Sequence, residues 1–74
     1  MIIVSQDKEI IFNFENIMYI EVAANRRTIR CQVRDGNIWL GNYSTEERAK
    51  EVLQEIVRYY ATGNVGQVYE MPED

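Results

Sequence analysis

Val33-Arg34-Asp35-Gly36-Asn37-Ile38 is the stretch that decides how this chain folds. Asp-Gly between two strand-like runs favours a two-residue hairpin loop whose backbone needs positive φ, so the pair predicts a reversal and a register. With Arg34 facing Asn37, Val33 meets Ile38 and Cys31 meets Leu40, which gathers apolar residues on one face. Working back, a loop at Asn25-Arg26 pairs Val22 with Ile29, Ile20 with Cys31 and Met18 with Val33. The apolar positions coincide again. A turn around Gln6-Asp7-Lys8 pairs Val4 with Ile10 and Ile2 with Phe12, and the polar residues around Phe14 supply another reversal.

These connections predict five strands in an antiparallel meander. The expected spans are Ile2 to Ser5, Glu9 to Asn13, Ile17 to Ala24, Arg27 to Arg34 and Asn37 to Tyr43. After Tyr43 the apolar period lengthens from two to about 3.6. Ala49, Val52, Leu53, Ile56, Val57 and Tyr60 then fall on one stripe of a helix. Ser44 and Glu47 match a capping box at its start, and Thr62-Gly63-Asn64 stops it, with Gly63 suited to the left-handed closing position. A single amphipathic helix and a one-sided sheet bury their stripes on each other. The expectation is therefore an α+β domain over residues 1–64, its meander open or curled into a partly closed barrel. Residues 65–74 form a tail that is partly docked or disordered, with the last four residues mobile.

Composition narrows the function classes. The chain has 74 residues, no histidine and one cysteine, so a disulfide within the chain is excluded and a four-ligand Cys/His zinc site cannot be built. No apolar run approaches the roughly 20 residues that cross a bilayer, and no basic segment followed by an apolar stretch opens the chain. A cytoplasmic protein with no membrane contact, metal or cofactor is expected. The net charge is −4, and Glu70, Glu73 and Asp74 account for three of those excess charges. That balance disfavours nonspecific attraction to nucleic-acid phosphates.

Catalysis needs a positioned base or nucleophile, and Cys31 points inward in the expected register, so the chain reads as a non-enzyme. Glu46, Glu47, Glu51 and Glu55 interleave with Lys50 and Arg58 as a solvated helix face. The side of the sheet away from the helix is more distinctive. The registers place Tyr19, Gln32 and Trp39 in one cross-strand row and Glu21, Arg30 and Gly41 in the next, with Arg34 on a diagonal and Tyr43 beyond. Trp, Tyr and Arg are the residues enriched in interface cores.

The fifth strand, an edge with neither charge nor proline, invites pairing as well. The expected function is a small interaction module that self-associates, most simply as a homodimer, or meets another protein through this face or edge. The bland alternative is an arginine lid over the indole and an ordinary Glu21–Arg30 ion pair. A second is an accessory nucleic-acid binder using Arg26, Arg27, Arg30 and Arg34 with the aromatics as a stacking platform. A third is a small-ligand binder between sheet and tail.

The stretch Leu40-Gly41-Asn42-Tyr43-Ser44-Thr45-Glu46-Glu47-Arg48-Ala49, continuing through Val52-Leu53-Gln54-Glu55-Ile56, resembles small uncharacterised proteins of Gram-positive bacteria and their prophages. Val4-Ser5-Gln6-Asp7 and Phe14-Glu15-Asn16-Ile17 are similar too. The resemblance implies a bacterial or phage cytosolic origin and carries no catalytic residues.

Overall fold

A computed structural model describes residues 1–63 and 66–74; the parts of the helix stop and tail expected at Asn64 and Val65 lie outside them. In chain order the elements are β1 (Ile2–Val4), β2 (Ile11–Asn13), a 3-10 turn (Phe14–Asn16), β3 (Tyr19–Val22), β4 (Thr28–Val33), β5 (Gly36–Asn42), α1 (Glu46–Thr62) and β6 (Val68–Glu70). The fold is α+β with one helix, as expected, but the strands do not form one five-stranded meander. They form two three-stranded sheets, ordered β2-β1-β6 and β3-β4-β5, and neither closes into a barrel.

The break falls between β2 and β3. Asn13 Oδ1 accepts from the Glu15 backbone N–H at 3.2 Å, which caps the 3-10 turn and redirects the chain before β3 can pair with β2. The other edge of β1, away from β2, is taken by β6, running parallel to it. Residues 66–74, expected as a partly docked or disordered tail, thus supply a strand, and Met71 is buried beyond it.

The register of the first hairpin is one residue from the expected one: Ile3 pairs with Phe12 and Val4 with Ile11. Ser5 sets it. Its backbone N–H donates to the Ile10 carbonyl (2.9 Å), while its buried hydroxyl accepts from the Ile10 N–H (3.1 Å) and donates to Asp7 Oδ1 (2.6 Å). Asp7 accepts also from the Glu9 N–H, and Lys8 crosses the turn at φ 65°. The Ser5 hydrogen bond, followed by that from Glu9, holds the Asp7 carboxyl below its ordinary pKa.

In the second sheet, β3 and β4 pair as expected, with Val22 opposite Ile29 and Ile20 opposite Cys31. The β4–β5 hairpin turns one residue early. Val33 pairs with Gly36, so Arg34 and Asp35 form the loop and Gly36 follows at φ 145°, a value that favours glycine. Cys31 consequently meets Ile38, not Leu40, and an irregularity between Ile29 and Arg30 brings Ile29 opposite Gly41. This bulge reverses the inside–outside phase of the strand end. Leu40, Gly41 and Tyr43 are all buried.

Helix α1 packs on β3 and β4. Its N-cap is Thr45, whose hydroxyl accepts from the Arg48 N–H (3.1 Å), not Ser44. Ser44 instead binds Asp74, donating from its N–H and hydroxyl to the two carboxylate oxygens at 3.1 Å each. Gly63 closes the helix at φ 66°. Ala49, Val52 and Ile56 are buried against Ile3, Ile29, Cys31, Leu40, Tyr69 and Met71, with Leu53 partly buried. Val57 and Tyr60, expected on the same stripe, are exposed, and Tyr60 lies 4.9 Å from Phe14, ring centroid to centroid. No helix among the described residues is long and apolar enough to cross a membrane.

The two sheets are joined by Gln6. Its backbone N–H donates to the Leu40 carbonyl (2.7 Å). Its side chain accepts from the Asn42 N–H (2.8 Å), and its two amide hydrogens are shared among the carbonyls of Asn42 (3.0 Å), Pro72 (3.2 Å) and Glu73 (2.7 Å). The amide thus bonds to Asn42 as a further strand's peptide group would, and ties residues 72–73 to the end of β5.

Two tyrosines brace this junction. Tyr43 Oη donates to the Pro72 carbonyl (2.9 Å), and Tyr69 Oη donates to Glu55 Oε1 (3.0 Å). Burial pushes the Tyr43 hydroxyl up to about 12, with Arg48 opposing and the Glu55 and Asp74 carboxylates adding to it. Burial and then the Glu55 hydrogen bond raise Tyr69. Both groups are harder to ionise folded than unfolded. Their contribution to stability is therefore complete below pH 10 and lost as pH rises toward about 12. Denaturant titrations across this range should show stability falling as the two buried tyrosines ionise. Constant stability across it would refute the assignment.

Candidate functional site

The outer face of β3-β4-β5 carries the residues singled out by sequence. Alternation along β3 points Tyr19 and Glu21 away from the helix, and along β4 it does the same for Arg30 and Gln32. The observed pairing regroups them. Trp39 stands opposite Arg30, which stands opposite Glu21; Tyr19 and Asn37 flank Gln32 in the neighbouring row. Both registers leave Trp39 on the same side, since they differ by two residues.

Trp39 is 40% exposed and Tyr19 50%, a large solvent-facing aromatic area for so small a fold. Arg30 donates from Nε to Glu21 Oε1 at 2.8 Å, the cross-strand ion pair expected from sequence. Gln32 donates from Nε2 to the Val33 carbonyl at 3.0 Å. Arg34 lies exposed in the hairpin loop beside Asp35. Tyr43 does not belong to the face. The bulge before it turns its ring inward, where it is 2% exposed and folds back over Gly41. Gly41 in the middle of a strand was the one sequence signal that a bulge could sit there.

The edge of β5 is occupied along its last residues, since the Leu40 carbonyl and both backbone groups of Asn42 bond to Gln6. The arginine cluster is divided as well. Arg26 bonds Glu46 across the tip of the β3–β4 loop (3.1 Å) and Arg30 is held by Glu21, so acidic partners offset two of its four charges. Lys50, then Arg26, hold the Glu46 carboxyl below its ordinary pKa.

Cys31 is fully buried, and burial pushes its thiol pKa up, with a weaker opposing hydrogen bond from the Ile38 backbone. The thiolate needed for nucleophilic attack is disfavoured there. Among the described residues no group of three or more His, Cys, Asp or Glu side chains is placed to hold a metal ion. The polar chain Arg48–Glu55–Tyr69 braces the helix against β6, Arg48 bonding Glu51 (2.8 Å) as well as Glu55 (3.4 Å). Compared with known protein families, curated proteins and solved structures, the chain matches none of the three.

Proposed function

We propose that this chain is a small non-enzymatic interaction module whose working surface is the outer face of β3-β4-β5, and that the simplest partner is a second copy. One observation carries the reading: Trp39 and Tyr19 keep 40% and 50% of their surface exposed on a sheet face whose other side is packed against the core. Rigid aromatics bring large contact area at low entropic cost, which is why Trp, Tyr and Arg dominate binding hot spots. Arg30 and Gln32 already spend donors on Glu21 and the Val33 carbonyl, so they border the aromatics in fixed positions. Arg34 and Asp35, adjacent and exposed in one loop, suit a two-fold contact in which each meets the other's counterpart. Tyr43 is not part of this surface.

Light scattering after size exclusion provides the test. The wild-type chain at tens of micromolar is expected to elute as a dimer, and Trp39→Ser to shift it toward monomer, truncation of a central anchor costing about 2 kcal/mol or more. A monomeric wild type would remove the homodimer. A dimer untouched by Trp39→Ser would move the contact elsewhere.

A further inference from the structure

The other sheet has a second exposed face, of different chemistry. Ile3, Phe12 and Tyr69 share its inner side, so the outer side carries Val68, Ile2 and Asn13 in one cross-strand row and Glu70, Val4 and Ile11 in the next. Ile11 is 67% exposed, Val68 46% and Ile2 39%. The four aliphatic side chains form a diagonal stripe across three strands. Two strand spacings of ~4.8 Å and a two-residue step of ~6.6 Å make it about 12 Å long. Two turns of α-helix span about 10.8 Å.

A helix lying in register with the stripe engages every aliphatic residue along it. Charge narrows the choice further. Glu70 sits at one corner, Glu9 and Glu15 flank β2 in sequence, and the chain carries −4 overall. The cation beside Glu70, Lys8 (3.4 Å), makes a solvent-exposed contact that an incoming cation can replace.

We propose that the outer face of β2-β1-β6 docks a basic amphipathic helix of a partner protein, with aliphatic residues at i, i+3 or i+4, and i+7 on the Val68-Ile2-Val4-Ile11 stripe and Lys or Arg toward Glu70. This contact is independent of the Trp39 face and stands or falls separately from it.

The test uses three labelled synthetic peptides and fluorescence anisotropy on the full chain. One has leucine at i, i+3, i+4 and i+7 with lysine elsewhere, the second replaces lysine by glutamate, and the third has the lysine peptide's composition with its leucines scattered. The lysine peptide is expected to bind at about 10–100 µM, and the other two at least about tenfold more weakly. Ile11→Asp should weaken the lysine peptide about tenfold and Val68→Thr about threefold, while Trp39→Ser leaves it unchanged. Circular dichroism checks each fold, and Val68→Thr decides if Ile11→Asp does not fold. Absence of binding, equal binding of the scattered peptide, or loss in Trp39→Ser but not in Ile11→Asp would overturn the proposal. So would a dimer that Ile11→Asp dissociates, which would assign the face to a second copy.

Discussion

Gly41→Ala is expected to lower the melting temperature by about 15 °C. A Cβ at this position would lie 2.7 Å from Tyr43 Oη and 3.0 and 3.1 Å from two ring carbons. The ring cannot swing clear cheaply, because it is 2% exposed and its hydroxyl is bonded to the Pro72 carbonyl. Overpacking a filled core costs about 1–3 kcal/mol, and displacing the hydroxyl adds about 1 kcal/mol for the bond. For a chain of this size, whose whole stability is on the order of 4–11 kcal/mol, about 3 kcal/mol corresponds to the stated shift.

A double-mutant cycle isolates the cause. Tyr43→Phe alone is expected to cost about 1 kcal/mol, since Gln6 still donates to the Pro72 carbonyl. In the Gly41→Ala background the same change should cost nothing or restore stability, because it removes the nearest clashing atom. Additive losses, or a single-mutant melt within about 2 °C of wild type, would refute the steric account.

The second large effect is expected at Gln6, whose side-chain oxygen accepts from one N–H and whose two amide hydrogens are shared among three carbonyl groups of other segments. Gln6→Ala removes all these bonds and should cost about 2–3 kcal/mol, water replacing part of what is lost because the site is half-buried. Gln6→Glu is nearly isosteric and should be worse at neutral pH. It keeps the acceptor for the Asn42 N–H but turns a carboxylate oxygen toward the carbonyls of Asn42, Pro72 and Glu73. Those carbonyls favour the protonated acid, so its folded pKa rises above the usual ~4.3. The restored donor therefore adds stability below the unfolded pKa and is lost as pH rises through the folded one. Urea titrations at pH 7 and pH 4 should show the Glu variant's deficit against wild type shrinking on acidification while the Ala variant's does not. Equal deficits at both pH values would refute the role given to the donor.

What could be read from sequence follows from what side-chain alternation can and cannot distinguish. The β3–β4 register was legible because Ile20, Val22, Ile29 and Cys31 alternate cleanly with polar residues. For β4–β5 the expected and observed registers differ by two residues, and a period of two cannot separate them. Trp39 stays outside in both, while its neighbour changes from Gln32 to Arg30. The first hairpin was illegible for another reason. Ile2-Ile3-Val4 and Ile10-Ile11-Phe12 are continuous apolar runs without alternation, and Ser5 and Asp7 decide the pairing through hydrogen bonds. The shift by one residue exchanges inside for outside, which hid the aliphatic face behind β2-β1-β6. Tyr43 was misplaced because the bulge lies between it and the turn from which its orientation was counted. The helix was legible throughout its buried stripe, and the cap moved by one residue because Asp74, distant in sequence, binds Ser44.

The parallel pairing of β1 with β6 has a consequence for the order of events during synthesis. A ribosome delivers β1 and β2 first, and a two-stranded ribbon is marginal by itself in water. The strand that completes it lies beyond the second sheet and the helix. The β3-β4-β5 hairpins, whose contacts are local, can assemble while the opening segment still waits for its partner. Until β6 arrives, Ile2, Ile3 and Val4 stand beside an empty strand position. The nascent chain is thus most exposed to aggregation along β1, and the pairing of β6 ends that exposure.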